Sequence, residues 1–209
     1  MERGKFIVLE GPDNSGKTTQ CGILTEFLNT QDIPAVSLRE PGGTKLGEAL
    51  RGVLLECRSN MIPPVVQTRM FVAARRAFVN ECLLPRFDRG VSVVSDRHRL
   101  STEVYQGYTQ GVPLELIDQI HGDLSALIRP DIGIVIDIPV EESLRRNNNE
   151  DRQNQQTIFE QQALDFHTLV RRGYLELAHQ RSIPVIDGTR SIEEVSQEIQ
   201  RLVSPIFSR

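Results

Sequence analysis

The chain has 209 residues, enough for one α/β domain with a proper core, and its 39% hydrophobic and 25% charged content is that of a soluble globular protein. A net charge of −4 argues against a general nucleic-acid or anionic-membrane binder. Cys21, Cys57 and Cys82 form no C-x-x-C pair and the four histidines are scattered, so neither a disulfide framework nor a zinc pattern is indicated.

The first ten residues, "MERGKFIVLE", carry too short an apolar run for a signal peptide, and nothing approaches a membrane span. A cytoplasmic enzyme is the expectation. Basic residues are lopsided, 21 Arg against 3 Lys. Arginine's planar fork suits phosphate, although a compositional bias of the genome explains the excess equally well.

Short β-branched apolar runs at 5–10, 34–38, 91–95, 131–137 and 183–187 read as buried strands. Helical patterns lie between them, near 17–29, 45–57, 64–84, 113–127, 140–149, 159–180 and 191–203. That alternation predicts an α/β fold with a parallel sheet and helices on both faces, in a single domain over 1–209. Ligands of such sheets sit beyond the carboxyl ends of the strands. Those ends carry Glu10–Gly11, Arg39–Glu40, Asp96–Arg97, Asp137 and Asp187.

The first strand runs into Gly11, and "GPDNSGKT" fits Gly-x-x-x-x-Gly-Lys-Thr. Gly11 and Gly16 permit a tight loop, built with Pro12, Asp13, Asn14 and Ser15, whose N–H groups face phosphate oxygens. The helix from Lys17 through Thr18 and Thr19 adds its positive end. Lys17 is placed to reach the β- and γ-phosphates of ATP, and Thr18 to bind Mg²⁺. Asp96, ending the strand "VSVVSD", is the second candidate for the metal; an ordinary strand-end cap is the alternative.

A P-loop alone fits GTPases, ATPases and nucleotide kinases. Downstream, "REPGGTKLGEALR" sets Arg39 and Arg51 around two glycines. Phe71 and Arg75 in "MFVAARRAFV" are i and i+4 and share a helix face, where a ring can stack a base and a guanidinium can read its carbonyl. Taken alone, a phenylalanine at position 71 is more often a core residue than a stacking platform. Arg97, Thr102, Tyr105 and Gln106 follow in "SDRHRLSTEVYQG".

These segments, with "RPDIGIVIDIPVEESLRR" and "FEQQALDFHTLVRRGYLELA", cover nearly the whole chain in the order found in thymidylate kinases, which the chain resembles. The resemblance implies a five-stranded parallel P-loop NTPase core of the nucleoside-monophosphate-kinase type, usually in a homodimer, that moves the γ-phosphate of ATP to dTMP. It implies Asp13 near the acceptor sugar and phosphate, and Arg39, Arg51 and Arg97 at the acceptor phosphate. It places Phe71 on thymine, Arg75 at its carbonyl, Thr102 and Gln106 at the base, and Tyr105 by the deoxyribose. It also implies a mobile lid over ATP, here the polar stretch at about 145–158. The P-loop interior has no arginine, so a lid arginine is required. Arg145, Arg146 and Arg152 are available, and Arg152 is taken as the catalytic one.

The chain departs from the family at four places. Ala74 stands where an acid precedes Arg75, and His98 stands for the tyrosine of D-R-Y. Thr157–Ile158 occupy the lid's Asp-Arg position, with Asp151–Arg152 six residues earlier. No glycine precedes Pro130–Asp131. A kinase for another deoxynucleoside monophosphate, or a nucleotide-binding paralogue without transfer, are the alternatives these changes leave.

Overall fold

The computed structural model describes residues 3–56, 62–147 and 158–208. Five strands, β1 (Phe6–Glu10), β2 (Ala35–Arg39), β3 (Ser92–Asp96), β4 (Ile132–Asp137) and β5 (Val185–Asp187), form one sheet in the order β2-β3-β1-β4-β5. Every pairing is parallel. β1 is central and buried along its length, which is why its five residues are apolar up to Glu10.

Successive side chains of a strand point to opposite faces. Ile7, Leu9, Val94, Ile134 and Ile136 therefore share one face, and Phe6, Val8 and Val93 the other. The first face is covered by α1 (Lys17–Thr30), through Leu24 and Leu28, and by α10 (Ile192–Val203), through Val195, Ile199 and Val203. The second face receives Phe78, Leu83 and Phe87 from the helical stretch over 64–87 and Tyr174 and Leu177 from the long helix Ile158–Gln180. The helices between are α2 (Lys45–Glu56), α3 (Pro64–Phe78), α4 (Leu84–Phe87), α5 (Arg99–Thr102), α6 (Leu114–His121), α7 (Leu124–Leu127), α8 (Val140–Asn147) and α9 (Ile158–Gln180).

Three helical expectations needed revision. The pattern over 64–84 is interrupted by a π turn at Val79–Leu83. Pro85 lacks the N–H that an α-helix would direct at Glu81, so the backbone widens there. The pattern over 113–127 divides at Gly122, whose φ of 52° ends α6. The segment Arg99–Thr109, not expected to be helical, forms α5 and a second π turn at Glu103–Thr109. All five strand ends point to one edge, where Gly11, Arg39, Asp96 and Arg97 converge: Asp96 is in register with Leu9 on one side and Arg39 on the other.

Candidate active site

The P-loop leaves β1 at Gly11 with φ 139°, and a Cβ there would meet the Ile136 carbonyl oxygen at 2.3 Å. Only glycine fits both the angle and the contact. Gly16, at φ 91°, turns the chain into α1. Lys17 is buried, and its Nζ donates to the Pro12 carbonyl at 2.6 Å and to Ser15 Oγ at 3.3 Å. Burial, then Arg97, lowers its pKa to about 8. Asn14 takes a positive φ of 60°, and its amide donates to the Ser143 carbonyl, while Ser143 Oγ donates to the Asp13 carbonyl. The loop is thus tied to α8, the helix that leads into residues 148–157.

Thr18 Oγ1 donates to Asp96 Oδ2 at 2.5 Å. The other strand-end acids are engaged elsewhere. Asp137 takes a two-pronged ion pair from Arg171, at 2.8 Å each. Asp187 accepts from the Thr189 amide and hydroxyl. Of the three, Asp96 alone faces the loop through Thr18. One carboxylate and one hydroxyl beside a phosphate loop are the donor set that suits Mg²⁺, which binds through one or two protein oxygens and takes the rest from phosphates and water. No cluster of three or more metal-binding side chains exists among the described residues.

Arg97 sits at φ 73°, a costly conformation for a residue with a Cβ. Its guanidinium repays the strain with contacts to Asp13 Oδ1 (2.5 Å), Tyr174 OH (2.8 Å), Ser101 Oγ (3.0 Å) and the Gly11 carbonyl (3.1 Å). It also lies over the Tyr105 ring at 5.3 Å. Burial opposes the charge on Asp13, but Arg97 and Lys17 outweigh it and hold the carboxyl below its usual range. Behind them Glu10 accepts from the Ser101 hydroxyl at 2.6 Å and from the His98 amide at 2.8 Å. The sequence marks Glu10 only as a strand-end residue and carries no signal for Ser101 or Tyr174. Glu10 at the end of an apolar strand was the available signal.

Two cavities meet at this point. One, of about 310 Å³, is lined by Asn14, Gly16, Lys17, Thr18, Thr19 and Asp96. The other, of about 260 Å³, is lined by Glu40, Pro41, Leu54, Phe71, Arg75, His98, Thr102, Tyr105 and Gln106. Asp13, Arg51 and Arg97 line both. Phe71 is therefore a wall of the second cavity, as the stacking reading requires. Arg39 is not among its lining residues; its guanidinium, half exposed, stands 3.4 Å from Glu48. Arg145 is paired with Glu142 at 2.7 Å, and Arg146 reaches Glu142, the Asn14 carbonyl and the Gly188 carbonyl. Arg152 and residues 148–157 of the expected lid lie outside the described residues.

The floor of the second cavity is a buried charge network. Arg75 Nε donates to Glu40 Oε2 at 2.6 Å, and His98 Nδ1 meets Glu40 Oε1 at 2.6 Å. Burial works against ionised Glu40, but His98 and Arg75 prevail and lower its pKa.

The family model described as thymidylate kinase matches residues 9–199. The chain belongs to the thymidylate kinase family. A protein named thymidylate kinase from Symbiobacterium thermophilum is 38% identical over 206 residues, covering 98% of this chain and 94% of its own length. Another of that name, from Nitrosomonas europaea, is 39% identical over 213 residues, with 100% and 96% coverage. The crystal structure of thymidylate kinase from Ehrlichia chaffeensis superposes with a TM-score of 0.76 at 30% identity, over 97% of this chain and 99% of that one. Ala74 is buried in the core, and His98 makes an edge-on contact to the Phe6 ring at 5.0 Å besides its bond to Glu40.

Proposed function

We propose that this chain transfers the γ-phosphoryl group of ATP to dTMP, yielding ADP and dTDP for dTTP synthesis in the cytoplasm. One observation carries the reading beyond family membership: a P-loop cavity and a base-sized cavity adjoin, with Asp13, Arg51 and Arg97 common to both. Two polyanions must approach in line, and cations at the junction offset their repulsion.

In this reading the loop from Gly11 to Thr19 and Lys17 hold the ATP phosphates. Arg51 and Arg97 hold the acceptor phosphate, joined by Arg39 after reorientation of its side chain. Phe71 stacks on the base, Arg75 with Thr102 and Gln106 addresses its edge, and Tyr105, hydrogen-bonded to Asp13 at 3.0 Å, lies by the sugar. An oxygen of the dTMP phosphate attacks the γ-phosphorus as the bond to the β,γ-bridging oxygen breaks, and ADP leaves. No protein nucleophile takes part, so positioning and charge stabilisation carry the catalysis. Thr18 and Asp96 would hold Mg²⁺, which when bound neutralises charge on the β- and γ-phosphates.

The whole chain, 1–209, acts as one domain, with the segment at 145–158 closing over ATP and Arg152 at the transferred group. Two copies pair. Exposed Leu46 and Val53 on α2 and Val66 on α3 supply apolar surface for that contact. No helix among the described residues is long and apolar enough to cross a membrane.

Incubation with Mg·ATP and dTMP, with products separated by anion-exchange chromatography, tests the reading. Equal amounts of dTDP and ADP are expected. ADP without dTDP, or ATP binding without ADP, would overturn it.

A further inference from the structure

Arg75 is almost fully buried, yet it is not a free arm reaching for a substrate. A guanidinium has five N–H donors. Among the described residues four are committed: Nε to Glu40 at 2.6 Å, one NH1 hydrogen to His121 Nε2 at 2.7 Å, and the NH2 hydrogens to the His98 carbonyl at 2.9 Å and Thr102 Oγ1 at 3.2 Å. The remaining NH1 hydrogen belongs to the nitrogen whose other hydrogen meets His121.

His121 comes from α6, 46 residues along the chain from Arg75, and is itself buried. Both of its ring contacts demand one protonation state. Arg75 can only donate, so Nε2 must be an acceptor. Nδ1 lies 2.8 Å from the Ile117 carbonyl, so Nδ1 must carry the proton. The imidazole is therefore neutral, with Nδ1–H donated to its own helix. Burial, followed by the Arg75 charge, lowers its pKa to about 4, which agrees with that tautomer.

We infer that His121 is a positioning residue for acceptor recognition: as the neutral Nδ1–H tautomer it fixes the NH1 end of the Arg75 guanidinium, and so sets the direction of the one N–H left to meet a carbonyl on the substrate base. The class of substrate feature selected is a keto oxygen. An exocyclic amine at the same place would set donor against donor. Thr102 is compatible with the choice, because its oxygen accepts from Arg75 and its hydroxyl still carries a proton to donate. This rests on the dTMP-kinase reading above.

His121→Leu and His121→Gln test it in steady-state assays of the whole chain. The leucine removes the acceptor at similar volume, whereas the glutamine amide oxygen reaches the same point. For His121→Leu the KM for dTMP should rise about tenfold, with kcat and the KM for ATP within about twofold of wild type. The preference for dTMP over dCMP should narrow in parallel. His121→Gln should recover most of the KM. A purely structural role would instead lower the active fraction and kcat, leaving the KM for dTMP unmoved. Should the leucine variant not fold, His121→Asn, too short to reach Arg75, replaces it with the same expected KM increase. Folded variants with unchanged dTMP KM and unchanged dTMP:dCMP preference, or with the loss confined to kcat or ATP, would overturn the inference. A wild-type protein inactive on dTMP would instead strike the underlying reading.

Discussion

The phosphate end and the base end of the site are built in opposite ways. At the phosphate end, nine consecutive residues, Gly11 to Thr19, supply nearly everything, and the Lys17 contacts span five residues or fewer. Asp96 is the one distant partner that closes on Thr18. At the base end the side-chain contacts of Arg75 are long-range: it is reached from Glu40, His98, Thr102 and His121. The first end uses backbone geometry and is open to solvent at Thr18. The second uses paired charges that are buried. A local loop can be altered without unfolding the protein, whereas a buried ionic network couples recognition to stability.

That contrast can be broken in graded steps. Lys17→Ala removes charge from the phosphate end alone, and turnover should fall by about 10³-fold or more, with the thermal midpoint preserved in a melting experiment. Near-normal kcat would contradict the mechanism. Glu40→Leu leaves Arg75 buried without its anion, and urea unfolding should show a loss of about 3–5 kcal/mol. Recognition of dTMP should fail with it, which ties stability to the base end.

A smaller effect is pH-dependent. His121 is faced by Arg75 from α3, by Arg99 from α5 and by Glu103 from the π turn, and its folded pKa is about 4. Unfolded, it protonates near 6.5. The unfolded chain binds the proton first, so this contribution to stability is complete above about pH 6.5 and is lost as pH falls toward 4, on the order of 2 kcal/mol. Urea melts of wild type and His121→Leu across that window should differ in slope, with wild type the steeper.

The phosphate end has its own titration. Lys17 has a pKa of about 8 in the free site, and phosphates will raise it. Above pH 8, ATP binding should therefore take up a proton and weaken by up to about tenfold per pH unit. Calorimetry in two buffers of different ionisation enthalpy measures that uptake directly. The least effect belongs to neither end. Ser191 caps α10 in a reciprocal box with Glu194, and Ser191→Ala should cost about 1 kcal/mol of stability with turnover untouched.

The same contrast explains what could be read from the sequence. All five strands fall within two residues of their expected positions, because buried parallel strands are continuous β-branched runs. The P-loop was legible because its chemistry is contiguous. Phe71 and Arg75 were legible as a pair because i, i+4 spacing survives folding. Glu40, His98 and His121 were not read as a network, since each is an isolated polar residue whose partner is 23 to 58 positions away. The helix after Asp96 was hidden for a related reason. Glu103 and Gln106 are buried polar residues, so the apolar periodicity is broken on the buried side. Arg39 lies in the motif that predicted it, yet a side chain's direction is set by its neighbour, here Glu48.

On this mechanism the phosphate end is indifferent to the base while the base end chooses dTMP. The most direct test is kcat/KM for dTMP, dUMP, dCMP, dGMP and dAMP, measured side by side with Mg·ATP by ADP release. The highest value is expected for dTMP, and values lower by about 10²-fold or more for dCMP, which lacks the matching carbonyl. Equal turnover of dCMP, or turnover highest on a purine monophosphate, would contradict it.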